Sequence, residues 1–479
     1  MSEITAAPDD LRDEPAGPVR QLRGNLGVAP IVFMVVAAAA PLGVIGGVVP
    51  LGLASGNGAG FPATFVVSTV ILLLFAVGFT ALTPYVGEAG AFFSYVRTAL
   101  GFPAGIGIAF VALVSYVAIE AGVYGLLGPA GAVIVELFGG PALPWWLFAA
   151  AAFVVTTFLG YRNIQLSSRV LAVLLTAEIA IVVVLDLVIV AQGGDHGLSS
   201  GIVSPNAVLS GSLGIGLLFA LISYVGFEAT AIFRDEARTP ERTIPRATYV
   251  ALILIGVFYA ATSWALVSGW GDDEAVARAT DSGSTFLADT AQRYIGVVGT
   301  DIITVLYFTS LFACILSFHN VASRYVFALS QRDVLPEPLS HPHATHGSPH
   351  LASLWISGVV ALSIVLAAVF NLEPAAQFYT WFAGTTTVGF VVLLIATSLA
   401  VLVYFARDRH GYSLWRVRIA PALGLVGLAI GLILIVANLG DLVGGSTVLG
   451  WAIVGLLVAS FAVGAVVGTR TQDKVVEKS

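Results

Sequence analysis

Apolar residues in this chain fall in long runs rather than in alternation with polar ones. About twelve such runs, near residues 27–54, 61–83, 103–135, 143–160, 169–192, 212–233, 246–269, 296–329, 351–371, 375–405, 417–438 and 445–468, are separated by polar connections. A helix of about 20 apolar residues crosses the hydrocarbon core of a bilayer, where every backbone polar group must be satisfied internally. The pattern predicts an all-α polytopic membrane protein with about twelve transmembrane helices.

Two of the runs are interrupted. In Gly27–Gly60 the residues Pro41, Gly43, Gly46, Gly47 and Pro50 loosen the hydrogen-bond ladder, just after the small residues Ala37–Ala40. The sixth run, within Ser212–Arg246, breaks at Ser223-Tyr224-Val225-Gly226-Phe227-Glu228. Gly weakens a helix, and a charged residue at mid-membrane costs roughly 2.5–3.5 kcal/mol on insertion scales. One reading is a kinked helix with Glu228 paired to a neighbour. The sharper reading is a broken helix whose free backbone groups line a solute site at the bilayer midplane. Runs one and six open two halves of five runs each, and paired breaks in corresponding positions point to such a site.

Composition narrows the class further. Of 479 residues 58% are hydrophobic and 10% charged, where a soluble chain carries about 25% charged residues. A net charge of −7 argues against a nucleic-acid partner. Cys314 is the single cysteine, so no internal disulfide forms. Residues 1–24 are polar, with no apolar core or cleavage site, and read as a disordered cytoplasmic tail rather than a signal peptide. With the N-terminus inside, every basic residue except Arg278 and Arg293 falls on the cytoplasmic side, which orients both termini inward. The expected division is a transport core over 25–405, in repeats 25–192 and 212–405, then two accessory helices over 406–468. Residues 469–479 form a second cytoplasmic tail.

Several polar residues are candidates for chemistry within the apolar runs. Glu120, one turn after Tyr116, reads as a solute counter-charge, a proton acceptor or a structurally paired acid. Run five carries Glu178 and Asp186. Thr309 and Ser310 sit at mid-depth in run eight, where paired hydroxyls suit Na+; the alternative is back-bonding to their own helix. His319 reads as a packed, hydrogen-bonded histidine. The histidines of His341–His350 are dispersed by Pro and Gly, so no metal site is expected there. Trp145 and Trp146 suit an interfacial belt, and Tyr85–Gly101 an amphipathic piece at the cytoplasmic surface. The charged run Arg234–Ala247 reads as a solvated loop or as ion pairs closing the cytoplasmic side. The acidic stretch 270–294 reads as an exposed outer loop, with a vestibule cap as the alternative.

These features together resemble an amino acid–polyamine–organocation superfamily permease over about residues 24–465. The motifs that carry the resemblance are Gly226-Phe227-Glu228 with the run Arg238–Arg246, Gly90-Ala91-Phe92-Phe93-Ser94-Tyr95, and the stretch from Asn320 through Ser323-Arg324-Tyr325 to Arg332–Pro336. The resemblance implies a LeuT-like fold of five-plus-five inverted repeats. It implies that Ala39, Ala40, Pro41, Leu42 and Gly43, together with Ser223, Tyr224, Val225, Gly226 and Phe227, surround an amino acid. It places Glu120 toward the substrate side chain, Glu228 at the break, and Thr309 and Ser310 near the sodium site of sodium-coupled relatives. Two departures stand out: Ala40-Pro41-Leu42-Gly43 replaces a glycine-rich stretch, and Pro41 has no N–H to donate. Run five also lacks the Lys that proton-coupled relatives carry.

The expected function is therefore a secondary active permease of the cytoplasmic membrane. It would import or exchange an amino acid or amine, coupled to Na+ or H+, with Glu228, Glu178, Thr309 and Ser310 in coupling or gating. Tyr224 and Phe227 would close over the solute. A polyamine or organic-cation carrier is the alternative. No enzyme activity or cofactor is implied: an intramembrane metalloprotease would need a His-Glu-x-x-His helix, which the sequence lacks. The last two runs read as packing or homodimer helices, with membrane lipid as the surrounding solvent.

Overall fold

The computed structural model describes residues 26–86, 91–162, 168–228, 230, 237–343 and 347–478. The N-terminal tail with Arg12, Arg20 and Arg23 lies outside the described residues, as do Gly90 and Arg234. The described chain is helical, with one isolated bridge between Leu26 and Ala237. That bridge sets the start of the first helix beside the start of the one that follows the second break.

The first run forms α1 (Val28–Ala38), breaks, and resumes as α2 (Pro41–Gly43), a π-helical turn (Val44–Val48) and α3 (Val49–Ser55). Then follow α4 (Phe61–Leu82), α5 (Ala91–Leu100), α6 (Phe102–Leu137), α7 (Trp145–Tyr161), α8 (Ser168–Gln192) and the short α9 (Pro205–Val208). The sixth run gives α10 (Leu213–Ile222), which stops at its break, and α11 (Pro240–Trp270) follows. The chain continues through α12 (Asp272–Ser282), α13 (Phe286–Ser330), α14 (His350–Val369), α15 (Thr380–Arg407), α16 (Ala420–Leu442) and α17 (Thr447–Lys478).

Among the described residues ten helices are long and apolar enough to cross a membrane, and α7 and α10 are shorter apolar helices. Val154, Phe158, Val173, Leu187, Val257 and Leu362 are each more than half exposed on outward faces. Water would penalise such a surface, whereas lipid chains match it. The protein is a multi-pass membrane protein.

One segment differs from expectation. Residues 270–294 are not a plain loop: Asp272, Asp273 and Glu274 occupy the first turn of α12, where they complement the helix dipole, and Ala275 and Ala279 bury one face on the bundle. The two basic residues of that side, Arg278 and Arg293, lie over the Trp270 ring at 4.9 and 4.6 Å, and Arg293 also pairs with Asp195. At the C-terminus α17 continues as helix to Lys478. It packs along α6 through a glycine seam: a Cβ on Gly464 would stand 2.9 Å from Gly107 Cα, and one on Gly468 2.9 Å from Pro103 Cα. Close approach of this kind is how membrane helices gain packing without a hydrophobic driving force.

Candidate functional site

The two breaks meet. At the first, Ala40 takes φ 47° and ψ 69°, the left-handed region that a non-glycine residue enters at a cost of about 1–2 kcal/mol. The chain can re-enter a helix there because Pro41 suits the first turn, where its missing N–H is not needed. Tyr259, on α11, donates its hydroxyl to the Ala39 carbonyl at 3.3 Å and so satisfies an acceptor that the break releases. At the second break Gly226 has φ 108°, and a Cβ there would stand 3.7 Å from the Ala38 Cβ.

Glu228 ties this second break. Its Oε2 accepts from the Gly226 N–H at 2.9 Å and its Oε1 from the Tyr116 hydroxyl at 2.7 Å, with Glu228 2% exposed. The carboxylate thus caps a donor that the broken helix leaves open and fastens the break to α6.

A cavity of about 40 Å³ lies between the breaks. At roughly 10–15 Å³ per water it holds about three waters, so an amino acid backbone would enter only with some opening of the walls. Ala39, Ala40 and Gly43 form one wall, and Ser223 and Val225 another. Ile119, Val123 and Leu126 of α6 and Leu311, Cys314 and Phe318 of α13 complete the sides, with Tyr379 at one end. No charged side chain lines it among the described residues. The sequence pointed to the two breaks but not to the α6 and α13 faces, although 119/123/126 and 311/314/318 each follow the three-to-four spacing of one helix face.

The other expected residues lie around the cavity rather than on it. Pro41, Leu42 and Gly226 stand behind its surface, at or just beyond the breaks. Tyr224 is fully buried against α4, where its hydroxyl bonds to the Phe65 carbonyl at 3.1 Å and to Thr69 at 2.6 Å. Phe227 packs edge-on against Phe75 and Phe390, with ring centroids about 6 Å away. Neither closes over the cavity in this conformation. Glu120 also points elsewhere: it lies a helical step from Ile119 and meets His319 Nδ1 at 2.7 Å, both residues 1% exposed. In this conformation Glu120 does not line the cavity.

The polar residues of runs five and eight regroup too. Thr309 donates to its own helix at the Leu306 carbonyl, 3.0 Å away. Ser310 instead donates to Glu178 Oε2 at 2.8 Å, and the Leu42 backbone N–H neighbours the same carboxylate. Neighbours in sequence are about 100° apart around a helix, and in this conformation the two hydroxyls bond to different partners. The arrangement joins α8, α13 and the first break at a buried acid with no basic partner among the described residues. Such a group can take up a proton or a cation.

Comparison with known proteins agrees with this architecture. The profile of the family described as amino acid permease matches residues 26–466. The serine/threonine exchanger SteT of Bacillus subtilis is 28% identical over 172 residues, 35% of this chain and 37% of that protein. The branched-chain amino acid permease BcaP of Lactococcus lactis subsp. cremoris is 25% identical over 283 residues, 57% of each chain. The BcaP of Bacillus subtilis is 23% identical over 367 residues, 72% of this chain and 74% of that protein. The chain thus spans between a third and three fifths of the length of the first two of these. All are transporters rather than enzymes. With the family profile covering nearly its whole length, the chain belongs to the amino acid permease family of the amino acid–polyamine–organocation superfamily.

Proposed function

We propose that this protein is a secondary transporter of the cytoplasmic membrane that carries a neutral amino acid with a small or apolar side chain. The observation that carries the reading is the uncharged cavity between two broken helices. Helix dipole ends at the breaks suit the carboxylate and amine of the solute. The side chain would then meet Ile119, Val123 and Phe318. The names of the relatives, which refer to serine, threonine and branched-chain amino acids, support the same solute class.

Alternating access would rock the interrupted helices with α4 and α11 against the remaining helices of a core over 25–405, with α16 and α17 as accessory helices. Glu178 with Ser310 supplies the coupling group for H+ or Na+. Both termini lie on the cytoplasmic side. The distribution of basic residues supports this orientation.

The test is uptake of radiolabelled serine, threonine, leucine, lysine and putrescine into proteoliposomes, under separate sodium and proton gradients. Accumulation of the neutral amino acids is expected. Accumulation of putrescine with no amino acid uptake would establish the polyamine alternative and remove this reading.

A further inference from the structure

Asn438 is a polar residue in the apolar run that forms α16, and the transport reading leaves it without a task. Its amide Nδ2 donates to the Leu434 carbonyl of its own helix at 2.7 Å, which aims Oδ1 at α10. There the Ser212 hydroxyl donates to Oδ1 at 3.0 Å, across 226 residues of sequence. Ser212 is the N-cap of α10, and the same hydroxyl oxygen accepts from the Ile215 N–H at 3.4 Å. Beside this bond the two helices touch through backbone. A Cβ on Gly214 would run into the Leu434 carbonyl oxygen and stand 2.6 Å from Asn438 Nδ2.

The first turn of α10 is tied on its other side to the outer half of the first broken helix. The Ser212 N–H donates to the Gly56 carbonyl, at the end of α3, at 2.9 Å. Asn57 is fully buried and donates its Nδ2 to the Val208 carbonyl at 3.0 Å. A Cβ on Gly56 would stand 3.0 Å from Gly216 Cα. Ser212 thus joins three helices: its N–H holds α3, and its hydroxyl caps α10 and reaches α16. The far ends of the two half-helices bear on the cavity. Helix α10 runs into Ile222 and Ser223, and the segment leading to α3 supplies Gly43, Val44 and Val48. Helix α16 also backs α4, where a Cβ on Gly424 would stand 2.9 Å from the Phe75 backbone N.

We propose that Asn438 is a positioning residue for transport: through Ser212 it clamps the joined half-helices α3 and α10 on α16 and keeps the cavity shut on that side. The proposal rests on the cavity being the solute site, and holds for any solute or coupling ion. Membrane helices associate by close approach at small residues and by hydrogen bonds between them. Here Gly214 lets the backbones touch, and the Ser212–Asn438 bond fixes the rotation of α10 about its axis. Breaking that bond frees two walls of the cavity together, since the Gly56 carbonyl carries the motion of α10 to α3. Helix α16 therefore does more than pack at the periphery.

The test reads the reaction rate of Cys314, which lines the cavity, with a membrane-impermeant methanethiosulfonate. Mass spectrometry of the full chain follows the reaction, with no solute present. Ser446→Cys in a Cys314→Ala background, exposed in the turn after α16, marks the face on which the clamp lies. The reagent is applied to intact cells, or to inside-out vesicles if only these label the marker, so an inverted orientation does not disturb the result. Asn438→Leu and Ser212→Ala are each expected to speed modification of Cys314 about 2-fold to 10-fold, the range for one lost hydrogen bond. The double variant is expected to be no faster than the faster single one, because both remove the same bond. Ser212→Thr keeps the hydroxyl and is expected to match the native rate. Should Ser212→Ala fail to insert for loss of its cap, Asn438→Leu leaves the cap in place and carries the test. An unchanged rate in Asn438→Leu, or single effects that simply add, would overturn the proposal and leave a local structural bond. A failure of amino acid uptake would remove the solute assignment and leave this result standing.

Discussion

The Tyr116 hydroxyl donates to Glu228 at 2.7 Å across 112 residues of sequence, and the same carboxylate takes the Gly226 N–H at the second break. One acid therefore holds together the end of a broken helix and the long α6 that walls the cavity. A change in the position of the break would have to change this contact first.

Replacing Glu228 by Gln keeps a carbonyl for Tyr116 but leaves the Gly226 N–H facing an amide or nothing. A buried donor without a partner costs about 1–3 kcal/mol, or about 5-fold to 150-fold in the population of the bound break. Transport is expected to fall by about 5-fold to 150-fold while membrane insertion and monodispersity are kept. Tyr116→Phe is expected to give a milder loss. Uptake and size-exclusion profiles of the two variants check this, and equal loss of insertion and transport in Glu228→Gln would count against a role at the break.

Coupling is expected to separate two neighbours in sequence. Glu178→Gln and Ser310→Ala both alter the buried acid and should abolish gradient-driven accumulation, with solute counterflow retained in Glu178→Gln. Thr309→Ala removes a hydroxyl bonded to its own helix and should change uptake less than about threefold, since such local bonds contribute little. Uptake driven by an imposed sodium or proton gradient distinguishes them. A Thr309→Ala variant that loses sodium dependence would restore the hydroxyl pair as the ion site.

Gly226→Ala places a side chain at φ 108°, where L residues are strained. A loss of about 1–3 kcal/mol is expected, read as a lower midpoint of thermal unfolding in detergent. The nearest atom to the added Cβ is 3.7 Å away, so the loss would come from backbone strain rather than a clash. An unchanged midpoint would mean the break adopts another backbone conformation in the membrane.

The breaks were legible in the sequence because Gly, Pro and Glu inside apolar runs carry local costs that need no tertiary information. The direction of Glu120 was not, since its partner His319 is 199 residues away and the meeting depends on how α6 crosses α13. Thr309 and Ser310 adjoin in sequence, but their hydrogen-bond partners in this conformation, the Leu306 carbonyl and Glu178, depend on how α8 packs on α13. The outer segment looked like a loop because its acids dominate the composition. Their position in a first turn, followed by Ala275 and Ala279 four apart, is a helix signal that was present in the same residues.

Cys314 is the single cysteine of the chain and lines the cavity between the breaks. The most direct measurement is its rate of modification by a small methanethiosulfonate in proteoliposomes, with and without a saturating transported amino acid. The solute is expected to protect Cys314, and modification is expected to block uptake in the native chain but not in Cys314→Ala. Modification that proceeds at the same rate under saturating solute, or that leaves uptake intact, would contradict the placement of the amino acid between the two broken helices.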